Sequence, residues 1–309
     1  MNGTKILIPA LVAASFCLGG CNLQALLIRG TVDATAEFTK ERASTLADPE
    51  MVGPIIAAGT VTNEGLLYFV PDYEPLLIGT VFSNVAYGLA WIMAESGDAE
   101  VAGNFDKVEK LNARAGILFA RALYYTRRML RLRDAGFDDA VAGGAEKFQA
   151  WVNEHFYEKE DAEILLTAGM AYLVAMVESE EGLAAAVDVP YARAMIERSI
   201  ELDTNLNGGQ GLMMIGIFEC TMPAALGGRP KVGLQLMLKA AAQEKRQSHG
   251  VLVSMAERCA VALQDRTMFK NLLMEVIEAG DVERFRLTNK LARHQAERLL
   301  KQMDELFYD

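Results

Sequence analysis

Histidine is scarce in this sequence, at three in 309 residues, and proline is scarce too, at eight. His155, His249 and His294 lie far apart in the chain, so no metal-ligand spacing forms. No Gly-x-Ser-x-Gly elbow and no His-Glu-x-x-His pair occurs. The chain therefore reads as a non-enzyme, with no catalytic residue, metal or cofactor assigned. One histidine, in "EHFYEKED", stands near acids, as isolated surface histidines commonly do. Basic residues are outnumbered, 30 against 41, and no basic tail appears, which argues against a nucleic-acid partner. The acidic balance mainly implies solubility. Few prolines and no sustained Val/Thr alternation argue against sheet. Ala, Leu, Met, Glu and Arg dominate, and they favour helix.

Cysteine is limited to Cys17, Cys21, Cys220 and Cys259. The first two belong to the N-terminal apolar segment, so only Cys220 and Cys259 could pair. Both sit in apolar helical patterns, which leaves a disulfide and two buried free thiols equally open.

What the N-terminus does have is "LIPALVAASFCLGGCN", residues 7 to 22. The apolar run from Ile6 to Leu18 is shorter than the roughly 20 residues a spanning helix needs, and has signal-peptide proportions. Leu18-Gly19-Gly20-Cys21 resembles a bacterial lipobox. This predicts cleavage after Gly20, a diacylglycerol on the Cys21 thiol and acylation of the new amine. A triacylated Cys21 would hold the chain on a membrane without spanning it. Asn22, where Asp would resemble an inner-membrane retention signal, leans the anchor towards the outer membrane, with the protein in the periplasm. The expected organisation is a signal peptide over 1–20, a lipidated linker over 21–35 and a single helical domain over 36–309. Loss of residues 1–20 removes Lys5, leaving 29 basic against 41 acidic residues and a charge of about −12.

Asp48-Pro49 reads as a helix start. Pro75 to Ala94 carries no charge and is long enough to span a bilayer. Its small residues Gly79, Ser83, Ala86 and Ala90 recur at steps of four, three and four, which suits close packing against another helix. A span here would put most of the protein on the wrong side of the membrane for its lipid, so a buried helix is expected.

Residues 107 to 133 show the clearest helical pattern. Val108, Leu111, Ala115, Leu118, Ala122, Tyr125, Met129 and Leu132 form one apolar stripe. Lys107, Lys110, Arg114, Arg121, Arg128 and Arg131 follow one residue earlier, interrupted by Ile117 and Tyr124. The usual meaning is a solvated face paired with acids. The other reading is that Arg114, Arg121, Arg128 and Tyr124 meet a ligand carboxylate or a partner, since guanidinium binds carboxylate bidentately.

Further helices are expected over 160–178, 190–203, 209–226, 229–245, 249–264, 267–279 and 282–307. The glycine-rich stretches at 207 and 227 lack the P-loop Lys-Ser/Thr and read as inter-helix turns. "YARAMIERSIELDTN" resembles the second helix of a tetratricopeptide unit, with Ala192, Ile196 and Ser199 as its small, bulky and small positions. Gly233, Met237 and Ala240 repeat the pattern 41 residues on. Small residues let paired helices touch, and the bulky one fills the gap to the next pair. Leu165, Gly169 and Tyr172 mark a first helix. The fold class is therefore all-α, an α-α superhelix of irregular tetratricopeptide-like helix hairpins.

Four stretches carry a wider resemblance. They are "CTMPAALGGRPKVGLQLMLKAA", "SMAERCAVALQDRTMFKNLLMEVIEAG", "RFRLTNKLARHQAERLLKQMDELF" and the basic helix after Lys107. Over roughly residues 40 to 307 the chain resembles the T component of TRAP transporters, which are periplasmic lipoproteins with tetratricopeptide-like helices. It departs from that pattern around 164–172, where Leu165 and Leu166 replace neighbouring aromatics. The resemblance implies an accessory that docks the solute-binding protein of a TRAP uptake system for organic acids. It also implies a homo-oligomer, a trimer, with an apolar channel through each subunit that passes a small organic acid or a hydrophobic ligand. The alternative is a stand-alone periplasmic carrier of hydrophobic ligands, which the fifteen methionines suit.

Overall fold

The computed structural model describes residues 20–177, 188–223 and 227–307. The predicted signal peptide thus lies almost wholly outside the described residues, as does the side chain of Cys21. Every described element is helical, so the chain is all-α.

Helix α1 (Gly20–Thr45) overturns one expectation: residues 22–35 are helical and not a linker. Their Leu/Ala-rich sequence contains no proline and places Ala25, Ile28 and Val32 on one side, where they pack against the first core. Arg29 reaches Asp72 at 3.3 Å and lies 5.2 Å over the Tyr73 ring. Tyr73 in turn donates to Asp33. Burial, then the Asp33 carboxylate, pushes the Tyr73 pKa up to about 12.

Helix α2 (Pro49–Leu66) starts where expected. Asp48 caps it by accepting from the backbone N–H of Glu50 at 3.0 Å and Met51 at 3.3 Å, and Pro49 occupies a first-turn position that needs no N–H. Helix α3 (Glu74–Tyr87) runs through a π-turn (Gly88–Met93) into α4 (Ala94–Val101). This continuous stretch is the one described helix long and apolar enough to cross a membrane. It lies among α2, α5 (Phe105–Arg133) and α8 (Asp161–Val177). Leu77, Val81 and Val85 are buried there, and so are the polar Thr80 and Asn84, whose groups turn back onto the helix's own carbonyls.

Residues 137–155 form two short helices, α6 (Phe137–Ala142) and α7 (Ala145–His155), where one was expected. Phe137, Phe148, Trp151 and Phe156 make edge and tilted ring contacts at the centre of the first core. Two antiparallel hairpins follow, α8 with α9 (Val189–Leu202) and α10 (Gln210–Thr221) with α11 (Pro230–Gln243). Their contact geometry repeats. A Cβ added at Gly169 would lie 2.4 Å from the Ile196 side chain and 3.1 Å from the Ala192 carbonyl. At Gly216 it would lie 2.3 Å from Met237 and 2.9 Å from the Gly233 carbonyl. Ile196 and Met237 are the bulky positions read from the sequence, and both are fully buried. Ser199 donates across the first hairpin to the Ala162 carbonyl at 2.7 Å.

The second core gathers around Met237, Leu252, Phe269 and Leu273. It is built by α10, α11, α12 (His249–Ser254, continued by a π-turn over Met255–Ala260), α13 (Arg266–Glu278) and α14 (Arg286–Lys301). Cys220 of α10 and Cys259 of the π-turn form a disulfide, with their Cα atoms 4.9 Å apart. That settles the alternative left open by the sequence. Helix α14 then returns to the beginning of the chain. It packs against α1, α2 and α4, with Lys290 donating to the Ala47 carbonyl and Arg298 to the Ala94 carbonyl at 2.9 Å.

Candidate functional surface

Helix α5 carries the predicted binding residues, and its local sequence explains its length. Asn104 caps its start by accepting from the Lys107 N–H at 3.2 Å, and Arg131 and Arg133 occupy its last turn, where cations favour the helix dipole. It is gripped from two sides, by α3 and α8. Its buried set is Leu111, Ala115, Phe119, Ala122, Thr126, Met129 and Leu130. The predicted apolar stripe is therefore widened, with Phe119, Thr126 and Leu130 added and Leu132 left exposed. A single-stripe reading could not see this, because it assumes one packing partner and α5 has two.

Arg114, Arg121 and Arg128 stand along the outer side of α5, and each is committed to a neighbour. Arg114 donates to the Tyr87 hydroxyl at 3.2 Å, with its guanidinium 5.7 Å from that ring. Arg121 grips Glu64 of α2 through two nitrogens, one at 2.9 Å. The hydrogen bond to Glu64 raises the Arg121 pKa further above its ordinary value. Arg128 donates to the Pro71 carbonyl. Lys107 meets Glu95 at 2.8 Å, and Arg131 makes a bidentate pair with Asp138, both bonds at 2.8 Å. The partners Glu64 and Tyr87 were missed in the sequence. Glu64 did carry a signal, as one of only two acids in the otherwise uncharged α2.

Tyr124 does not join an arginine–acid pair. Its ring stands edge-on to Tyr125 at 5.1 Å and is 61% exposed, and Ile117, one helical repeat earlier, is 62% exposed. The outer face of α5 thus alternates paired guanidinium groups with open apolar and aromatic side chains. Elsewhere, a groove of about 470 Å³ is lined by Arg246, Asp265, Asn271 and Glu275 among others, but Arg246 and Glu275 already pair across it at 2.6 and 2.7 Å. Among the described residues, no three His, Cys, Asp or Glu side chains converge as a metal site requires.

With this geometry in place, the comparisons decide the family. The sequence model of one family, the TRAP transporter T-component, matches residues 45–307. The chain belongs to that family. No curated protein matches it. As a T-component, the chain is associated with a TRAP transport system, and its role points to the periplasmic side. The matched stretch begins just before α2 and ends at the last described residue, so both cores and the outer face of α5 fall inside it.

Proposed function

We propose that this T-component is a non-catalytic accessory, anchored through lipid on Cys21, that docks the solute-binding protein of its TRAP system. The family match over residues 45–307 is the observation that carries this reading. The buried Cys220–Cys259 disulfide supports an oxidising compartment such as the periplasm. The docking surface is the outer face of α5. Exposed Tyr and Ile among Arg side chains is the composition that protein interfaces favour, where aromatic and Arg side chains carry most of the energy. The arginines are held by Glu64, Tyr87 and the Pro71 carbonyl, so they enter an interface with little ordering cost. The protein works as a homo-oligomer, a trimer, and passes a small organic acid or a hydrophobic ligand through an apolar channel.

Calorimetric titration with the solute-binding protein encoded beside it tests the docking. Tyr124→Ala should weaken binding by roughly 30-fold, the scale of an aromatic hot spot. Arg121→Ala or Arg128→Ala should weaken it by roughly one to two powers of ten if they contact acidic groups of the partner. Unchanged affinity in all three variants, with the fold intact, refutes this surface. Co-purification of the native lipoprotein without any TRAP component, but with an apolar small molecule, would favour a stand-alone carrier.

A further inference from the structure

The first turns of α1 leave three leucines with no protein to cover them. Leu23, Leu26 and Leu27 are 58%, 66% and 63% exposed. The opposite side of the same turns is fastened, with Ala25 and Ile28 packed on the first core. The loop below α1 adds two more open side chains. Tyr68 is 83% and Phe69 47% exposed, and their rings meet edge-on at 5.2 Å. That loop is tied to α1 through Arg29 to Asp72 and through Tyr73 to Asp33. Three leucines and two aromatics therefore share one end of the molecule.

We propose that this patch is a membrane-contact surface, and that the domain sits directly on the lipid bilayer that holds its anchor. This rests on the acylation of Cys21 proposed above. Leu23 follows Cys21 by two residues, and no charge occurs from Cys21 to Ile28. At about 1.5 Å per helical residue, Leu27 is only about 9 Å along the axis from the acylated position. That matches the roughly 5–10 Å to which an interfacial helix sinks its apolar face. The first charge, Arg29, turns away to Asp72. Tyr and Phe rings beside the leucines suit the water–lipid boundary, where an amphipathic ring keeps one edge wet. Because α1 is fixed to the core, lipid contact by its leucines sets the orientation of the whole domain.

The test uses the full acylated lipoprotein in vesicles of phosphatidylethanolamine and phosphatidylglycerol containing doxyl-labelled lipid. An environment-sensitive fluorophore is placed in turn on Leu27→Cys, Phe69→Cys and the remote Tyr157→Cys. Cys220 and Cys259 are bonded and Cys21 is acylated, so each variant offers one free thiol. Quenching at positions 27 and 69 should exceed that at 157 several-fold. Replacing Leu23, Leu26 and Leu27 with Ser should abolish the quenching at 69 while the acyl mass stays on the chain. Equal, water-like signals at all three positions overturn the proposal. So does a blue shift at 27 that grows with protein concentration in lipid-free, unacylated chain, which would assign the patch to a second copy. Intact mass of the same sample judges the anchor separately. If acyl mass is absent, the anchor reading fails on its own, and the quenching repeated on Cys21→Ser chain with added vesicles still decides the patch.

Discussion

Reducing the Cys220–Cys259 disulfide should lower the stability of the T-component by about 4 kcal/mol. The bond joins α10 to the π-turn after α12 and closes a loop with a sequence separation of 39. In the chain-entropy account, a closed loop of that length removes about 13 cal/mol/K from the unfolded ensemble, or about 4 kcal/mol at 25 °C. Native packing adds little to the difference, because both sulfurs stay in the second core whether joined or free. For a chain of this size, each kcal/mol moves the melting temperature by about 2 °C, so the shift should be roughly 8 °C. Wild-type protein refolded with and without a phosphine reductant isolates the cross-link from any side-chain truncation. Melting is followed by circular dichroism, with thiols counted in denaturant. The reduced sample should show two reactive thiols, a lower midpoint and a steeper denaturant dependence, since its unfolded state expands further. Equal melting temperatures with the thiol count confirmed would refute the entropic reasoning. Two reactive thiols in protein never exposed to reductant would refute the bond itself.

Gly169→Ala and Gly216→Ala should each cost about 1–3 kcal/mol by overpacking a hairpin contact, read as a drop in denaturation midpoint, with Ile196→Ala or Met237→Ala partly relieving the matching glycine variant. Glu219, fully buried, is held by Arg229 and Arg193, and these hold its carboxyl below its ordinary value of 4.5. A depressed carboxyl contributes stability that is present above the unfolded value and lost as pH falls through the folded one. Stability should therefore decline below about pH 4.5, and Glu219→Gln should cost about 3–5 kcal/mol at pH 7 while flattening that acid slope in pH-dependent unfolding. A chain beginning at Asn22 should remain soluble without detergent and give a helical circular dichroism spectrum. Extraction only by detergent would show that Glu74–Val101 spans a membrane.

Most of the helices were legible because their signals are local. Asp48-Pro49 caps and starts α2 as read, and the small–bulky–small spacing at Ala192, Ile196 and Ser199 places α9 against α8. What escaped was non-local. Residues 22–35 lack the strong periodicity of a buried helix because only a narrow side, Ala25, Ile28 and Val32, meets the core. The burial of Phe119 and Thr126 depends on α5 having neighbours on two sides, which no single stripe records. The disulfide required two helices to meet, and spacing alone could not choose between bond and thiols. For the candidate surface, the seven-residue steps of Arg114, Arg121 and Arg128 predicted a shared face. Their pairing with Tyr87, Glu64 and the Pro71 carbonyl came from the returning helices.

The contact of α14 with α1, α2 and α4 changes what kind of object this helical array is. An open array of hairpins can gain or lose a unit, because each touches only its neighbours and its ends fray independently. Here Lys290 and Arg298 fasten the last long helix to carbonyls some 200 residues or more earlier in the chain. Each end caps the other, so the number of hairpins is fixed by the need to meet again. Deleting or duplicating one pair would separate Arg298 from Ala94 and expose both ends at once. Unfolding should then proceed as one event and not peel from a terminus. A circular permutant that joins the region after Phe307 to α1 and opens the chain between two hairpins should keep the fold, which no open solenoid of this kind would require.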